Sequence, residues 1–158
     1  IHDSQLADGV SVTQSVIESS TVATGATVGP FAHLRPNSHL GQDVHIGNFV
    51  EVKNSTLGAG VKSGHLTYIG DADLGRDINI GCGTIFVNYD GKKKHRSTVG
   101  DQAFIGCNAN IVSPVKIGDQ TFIAAGTTVT HDVPDQALAI SRVKQDNIPN
   151  YWQKFSKK

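Results

Sequence analysis

The sequence predicts an all-β fold, a parallel β-helix built from hexapeptide repeats. The first observation is a rhythm of large apolar residues between Val10 and Val129. Most steps are of six residues, two are of five and one is of thirteen, and nineteen of the twenty positions are apolar. A period of six matches neither an amphipathic helix nor a heptad coil, whereas it is typical of hexapeptide β-helices.

A second column of residues supports the same register. Two positions before the apolar residues, from Ser20 to Thr127, the side chains are small or β-branched. Residues two apart in a strand lie on one face, so each hexad would bury one large and one small side chain. Three hexads would form one triangular coil, and twenty hexads predict between six and seven coils.

Composition excludes several classes of function. The 158 residues contain 14 Lys and Arg against 14 Asp and Glu, which gives no general attraction to nucleic acid. No apolar run approaches the roughly 20 residues of a membrane span, and no signal peptide is visible. The two cysteines, Cys82 and Cys107, are expected to be reduced thiols of a cytoplasmic protein. The start at Ile1 and the lack of Met indicate a piece of a longer protein or a processed one.

One polar residue, Ser63, interrupts the apolar column, and His65 follows two residues later. Histidine can exchange a proton near neutral pH, so we expect a functional site here. If residues 87–98 form an extruded loop, the positions two after the apolar column align as Asn48, His65, Cys82, Cys107 and Ala125. Small side chains along one edge predict a groove that ends near His65, although they are also compatible with tight corners alone.

Two cations are expected to lie on one edge of the prism. Arg35 and Lys53 are 18 residues apart, which is one coil. They are either solvated surface residues or, because adjacent cations repel each other unless an anion lies between them, a phosphate-binding pair. The basic loop at 87–98 is likewise either a solvated excursion or a contact for a phosphorylated ligand or a neighbouring prism.

The histidines His33, His39 and His45 are six residues apart. Six residues carry the chain to the next face of the prism, so these side chains are expected on three different faces. We therefore do not expect them to form a metal site within one chain.

Seven stretches together resemble one family. They are Gly29–Pro36, Gly47–Lys53, Gly64–Ala72, Asn79–Thr84, Asn88–Gly91, Ala124–Thr130 and Leu138–Arg142. In this order they resemble the C-terminal acetyltransferase domain of the bacterial bifunctional GlmU family, over about Val10 to Arg142. A hexapeptide repeat alone would be shared by many acyltransferases, and the left-handed form of the β-helix is implied by the resemblance to them.

The resemblance implies transfer of an acetyl group from acetyl-CoA to the amine of glucosamine 1-phosphate. His65 matches the catalytic base of the family. The residues that match its sugar-phosphate site are Arg35, Lys53, Tyr68 and Asn79. The residues that match positions around acetyl-CoA are Cys82, Asn88, Tyr89, Cys107, Ala125 and Arg142, with Lys94 as a loop lysine near the active site. The family forms homotrimers with active sites between subunits, and its product supplies UDP-N-acetylglucosamine for cell-wall synthesis.

The expected organisation is a repeat domain at 1–132 with the extruded loop, and an irregular or short helical tail at 133–158. The uridyltransferase domain of the family is absent from this sequence, so no magnesium or other metal is expected. Cys107 stands where many relatives have Ser, and Cys82 where several have Ala. Three alternatives remain: an acyltransferase with another acceptor, a zinc-dependent hydratase of the γ-carbonic-anhydrase type, and a non-catalytic trimerisation module.

Overall fold

The structure, a computed structural model, describes residues 1–156. The chain winds into a parallel β-helix of about eight turns with three faces, which confirms the predicted fold class. The turns outnumber the predicted six to seven because strands also form before Val10 and after Val129, outside the stretch that was counted.

Short parallel strands stack along each face of the prism. Face A contains β1 (Gln5–Leu6), β4 (Thr21–Val22), β7 (His39–Leu40), β9 (Thr56–Leu57), β11 (Ala72–Leu74), β14 (Ser97–Val99) and β17 (Lys116–Ile117). Face B contains β2 (Ser11–Val12), β5 (Thr27–Val28), β12 (Asn79–Ile80), β15 (Phe104–Ile105), β18 (Phe122–Ile123) and β20 (Leu138–Ala139). Face C contains β3 (Val16–Ile17), β6 (His33–Leu34), β13 (Ile85–Val87), β16 (Asn110–Val112) and β19 (Thr128–Val129).

Two longer strands join faces B and C. They are β8 (His45–Lys53) and β10 (Lys62–Gly70), each of nine residues. Their first residues pair on face B and their last residues on face C, so both strands continue through the corner between the faces. The two strands pair with each other in parallel register at seven positions, from Lys62 opposite His45 to Gly70 opposite Lys53.

The core of the prism is the stack of inward residues that the periodicity predicted. The apolar column is buried from Val22 to Val129, and all eighteen small or β-branched residues of the second column, from Ser20 to Thr127, are buried as well. Burying one large apolar side chain contributes about 1.5–3 kcal/mol before conformational entropy is counted.

The predicted register is wrong in the first turns. Val16 was placed in the inward column, but it is 50% exposed, whereas its neighbour Ile17 is fully buried. In the first turn the inward residues are Val12, Ile17 and Val22. They are five residues apart, whereas the prediction used steps of six. A one-residue change of register turns a strand's side chains to the opposite face.

The loop leaves the prism between β13 and β14. A bridge pairs Tyr89 with Lys94, and the ring Nε2 of His95 lies 2.6 Å from the Asp90 carboxylate. Arg96 then binds Asp73 on face A. The stack of turns continues without a gap across the loop, since Ile80 before it pairs with Ile105 after it.

The expected tail begins with one more strand. β20 pairs with β18, so parallel pairing continues to Ala139, beyond the expected boundary at 132. A short 3-10 helix at Tyr151–Lys154 follows, with no buried residue. Residues 157 and 158 of the expected tail lie outside the described residues. Within residues 1–156, no helix is long and apolar enough to cross a membrane.

Candidate active site

The candidate site lies at the corner through which β8 and β10 run without interruption. His65 sits in the middle of β10, exposed to solvent, with Asn48 of β8 directly opposite. Ser63, two residues earlier, is fully buried between Ile46 and Ile80. Its Oγ is the one buried side-chain polar atom in residues 1–156 without a hydrogen-bond partner.

The column of residues that predicts a groove, here called the groove column, extends from His65 toward the C-terminal turns. Ser63 pairs with Ile80, Ile80 with Ile105, and Ile105 with Ile123. The residues two positions later therefore align as predicted, which confirms the assumed phase across the loop. They are Asn48, His65, Cys82, Cys107 and Ala125. Cys82 is half-buried and Cys107 exposed, and both are free thiols.

A cluster of cations lies on the other side of His65, on face C. We call Arg35, Lys53 and Lys94 the cation cluster. Arg35 donates its backbone N–H to Val52 O at 2.8 Å, which places it one turn below Lys53 as predicted. The loop brings Lys94 against Lys53. This contact, then partial burial and the charge of Arg35, lower the pKa of Lys53.

Within residues 1–156, one member of the cation cluster forms a salt bridge with a carboxylate. Arg35 Nη1 donates to Glu51 Oε1 at 2.9 Å, and this carboxylate raises the pKa of Arg35. Among residues 1–156 no carboxylate forms a salt bridge with Lys53 or Lys94. An anion bound between these two ammonium groups would remove their mutual repulsion, so the arrangement is suited to phosphate.

A buried carboxylate that the sequence analysis missed holds the neighbouring side chains. Asp71 accepts hydrogen bonds from the amides of Asn54 and Asn88, the latter at 2.6 Å. Asn88 Nδ2 also lies 3.2 Å from Tyr68 Oη. Asp71 therefore fixes Asn88 and, through it, Tyr68. The only signal in the sequence was an Asp directly after Gly70, which reads as an ordinary turn.

The remaining predicted residues lie in separate places. Asn79 is on face B, opposite Lys62 and Phe104, and within one chain it is not brought together with Tyr68 on face C. Arg142 approaches the groove column from the tail, with Nη1 3.4 Å from Ala125 O. Tyr89 is exposed in the loop and donates its hydroxyl to Gly91 O at 2.8 Å.

The other histidines do not converge. His33, His39 and His45 belong to strands of faces C, A and B respectively, as the period of six predicted. His33 Nε2 lies 2.8 Å from Glu18 Oε2. Within residues 1–156, no three His, Cys, Asp or Glu side chains are grouped so that they could hold a metal ion.

Known proteins share sequence with this chain. Residues 96–131 match the family of bacterial transferase hexapeptide repeats. The bifunctional protein GlmU of Caldicellulosiruptor saccharolyticus is 58% identical over 93% of this chain and 32% of its own length. The GlmU of Levilactobacillus brevis is 60% identical over 98% of this chain and 34% of its own length. Nearly the whole chain is thus similar to a part of the bifunctional protein GlmU.

The homology to GlmU covers one part of a longer protein, since the chain spans about a third of the length of these curated relatives. A solved structure of another protein has the same fold. A variant of perosamine N-acetyltransferase from Caulobacter crescentus, in complex with CoA and GDP-perosamine, superimposes with a TM-score of 0.57 at 25% identity. The match covers 84% of this chain and 58% of the acetyltransferase.

Proposed function

We propose that this chain is a CoA-dependent N-acetyltransferase that moves an acetyl group from acetyl-CoA to the amine of glucosamine 1-phosphate. The product would be N-acetylglucosamine 1-phosphate, a precursor of UDP-N-acetylglucosamine for the cell wall. The observation that carries the proposal is the position of His65, between the cation cluster on one side and a column of small residues on the other. Homology to GlmU and the resemblance to a CoA-binding N-acetyltransferase support it.

His65 is proposed as the general base. An ammonium group cannot attack a thioester, and imidazole, with an ordinary pKa of about 6.5, can accept the proton of the amine at neutral pH. The free amine then attacks the acetyl carbonyl. Collapse of the tetrahedral intermediate breaks the C–S bond, and the CoA sulfur takes a proton from the imidazolium of His65 and leaves as the thiol. The exposed ring of His65 leaves room for an acceptor to approach.

The cation cluster is proposed to bind the phosphate of the acceptor. Arg35 offers a planar guanidinium, while Lys53 and Lys94 supply point charges. Tyr68, held through Asn88 and Asp71, lies between this cluster and His65 along β10 and is proposed to contact the sugar. Asn79 is the fourth proposed sugar-phosphate residue.

The column beyond His65 is proposed to bind acetyl-CoA. Its members in this chain are Cys82, Cys107 and Ala125, and Arg142 lies against Ala125. Asn88 and Tyr89 at the base of the loop complete the proposed set. Small side chains leave space for the long pantetheine arm of the cofactor.

We further propose a cytoplasmic homotrimer with its sites between subunits. Phe31, Phe49 and Leu66 are each 55% exposed at the corner that carries Asn48 and His65. The rings of Phe31 and Phe49 are stacked 5.8 Å apart. An apolar edge beside the site is suited to contact with a second copy. The exposed aromatic residues of the tail, Tyr151, Trp152 and Phe155, are proposed to pack on a neighbouring subunit.

The test is a comparison of acceptors. The purified chain is incubated with acetyl-CoA and, separately, with glucosamine 1-phosphate, a nucleotide-linked amino sugar or a hydroxyl acceptor, and product is quantified by mass spectrometry. We expect efficient transfer only to glucosamine 1-phosphate. Preference for the nucleotide-linked amine would assign the chain to another acyltransferase activity, and no transfer to any acceptor would contradict the proposal.

A further inference from the structure

The fold explains why glycine is present at sixteen of its seventeen positions, and Gly64 is the exception. Each of the others either has a positive φ or would place a Cβ atom less than 3.0 Å from another atom of the chain. Gly64 has neither feature: its φ is not in the left-handed region, and no atom beyond its two chain neighbours lies within 4 Å of the Cβ that a larger residue would carry. The fold of this chain therefore does not require glycine at this position.

The contrast is sharpest with the equivalent glycines of neighbouring turns. A Cβ on Gly47, one turn below, would lie 1.8 Å from Gly64 O. A Cβ on Gly81, one turn above, would lie 2.6 Å from Cys107 N, and one on Gly106 would lie 2.6 Å from Ala125 N. In this row the Cβ direction points at the next turn toward the C-terminus. Of these four glycines, only Gly64 has open space where the Cβ would lie.

The open space adjoins the proposed reaction centre. Gly64 is half-buried and directly precedes His65 in β10. Arg35 and Lys53 lie toward the N-terminal turns, whereas the groove column leaves His65 in the opposite direction, toward Cys82. The open space at Gly64 therefore adjoins His65 at the start of the groove column, along which the cofactor is proposed to reach the reaction centre.

We propose that Gly64 is the residue that determines acyl size: the open space beside its Cα receives the acyl group of the thioester. This rests on the proposed acetyl transfer. An acetyl group needs room for its methyl and its carbonyl oxygen next to the attacking amine. A methyl group added to Gly64 would occupy that room without disturbing the chain itself, since no atom beyond Ser63 and His65 lies within 4 Å of it.

The experiment compares wild type with Gly64→Ala, using acetyl-CoA and propionyl-CoA as donors. We expect kcat/KM for acetyl-CoA to fall at least about 10-fold and that for propionyl-CoA to fall further, so that the acetyl preference increases. The affinity for CoA, which has no acyl group, should stay unchanged. The melting temperature should not decrease, because the added methyl meets no atom of the chain. In contrast, Gly47→Ala in the same row should not fold.

Three results would overturn this inference. One is an unchanged ratio of acetyl to propionyl transfer in Gly64→Ala. Another is an equal loss of affinity for CoA and for acetyl-CoA. The third is a change of oligomeric mass by light scattering with unchanged donor preference, which would assign the open space to a subunit contact. Failure of wild type to transfer acetyl at all would instead remove the proposed function, and the acyl site with it.

Discussion

The two nine-residue strands, β8 and β10, differ from the remaining strands of two or three residues each. The short strands end at turns, whereas β8 and β10 carry their pairing through the corner between faces B and C. Of the proposed catalytic and sugar-phosphate residues, His65, Tyr68 and Lys53 lie on these two strands. A paired corner holds outward side chains in fixed register where the chemistry is proposed.

Polar groups are also used differently in the two regions. In the C-terminal turns the carboxylates of Asp101, Asp119 and Asp135 accept backbone N–H groups from the preceding turn, at 2.8–2.9 Å. Around the long strands, by contrast, Asp71 binds side chains, and Lys53 and Lys94 face each other. The C-terminal turns, here called the regular region, use these carboxylates to accept hydrogen bonds from their own backbone. The region around β8 and β10 instead leaves positive charge free to bind a ligand.

The largest expected effect is at His65. Replacing it with Ala removes the proposed base, so kcat should fall by about 100-fold or more. The fold and CoA binding should remain, because the side chain is exposed. The matched control is His39→Ala, a histidine on a short strand, whose ring lies 2.8 Å from Thr21 Oγ1 and outside the proposed site. Steady-state kinetics of both variants check this, and near-normal turnover by folded His65→Ala would remove it as the base.

The next effect concerns the cation cluster. Arg35→Ala or Lys53→Ala should raise KM for glucosamine 1-phosphate about 10-fold, since each loses one charge-assisted contact with phosphate. KM for acetyl-CoA should change little. Arg76→Ala is the control, because Arg76 binds Asp101 in the regular region. If neither cluster variant changes KM for the sugar phosphate, the phosphate site is placed wrongly.

Asp71→Asn tests the buried carboxylate. An amide can accept with only one oxygen, so one of the two bound asparagine side chains would lose its partner, at a cost of about 1–3 kcal/mol in stability. Thermal unfolding measures this, and kinetics should show weaker substrate binding through displaced Asn88 and Tyr68. Asp119→Asn should be nearly neutral, because its bond to the Asp101 N–H needs only one oxygen. Equal behaviour of the two variants would contradict the distinction between the regions.

A pair of serines tests the interruption of the apolar column. Ser63→Ala removes a buried hydroxyl without a partner and should stabilise the protein by up to about 1 kcal/mol. Ser55→Ala should destabilise it by about 1 kcal/mol, because Ser55 Oγ donates to Lys53 O and accepts from Ala72 N. Denaturant unfolding of both variants measures the difference. The same sign for both would show that Ser63 is satisfied in solution.

The smallest effect is the pH dependence of the loop. The ring of His95, followed by the backbone N–H groups of Lys93 and Lys92, lowers the pKa of Asp90 from 3.8 to about 2. A lowered carboxyl pKa stabilises the loop above pH 3.8, and this contribution disappears as the pH falls toward 2. An NMR titration of the Asp90 carboxyl should show the pKa returning toward 3.8 in His95→Ala. An equally low pKa in that variant would contradict the pairing.

The sequence predicted the repeating features of the fold because each turn buries the same kinds of side chain. It therefore placed Arg35 beside Lys53 and His65 opposite Asn48. It failed at Val16, where two short steps shift the register, since valine and isoleucine are equally suited to the core. It did not identify Asp71 as a structural centre or place Lys94 against Lys53, because those contacts depend on the path of an inserted loop that follows no period.

The central claim is that the paired corner at His65 transfers acetyl groups to an amine whose phosphate is held by the cation cluster. The most direct measurement compares kcat/KM for glucosamine 1-phosphate with that for glucosamine, which has no phosphate, at saturating acetyl-CoA. The account predicts transfer to both amines, with at least about a 100-fold preference for the phosphorylated sugar, equal to about 2.7 kcal/mol. Equal use of the two acceptors, or no transfer to either, would contradict it.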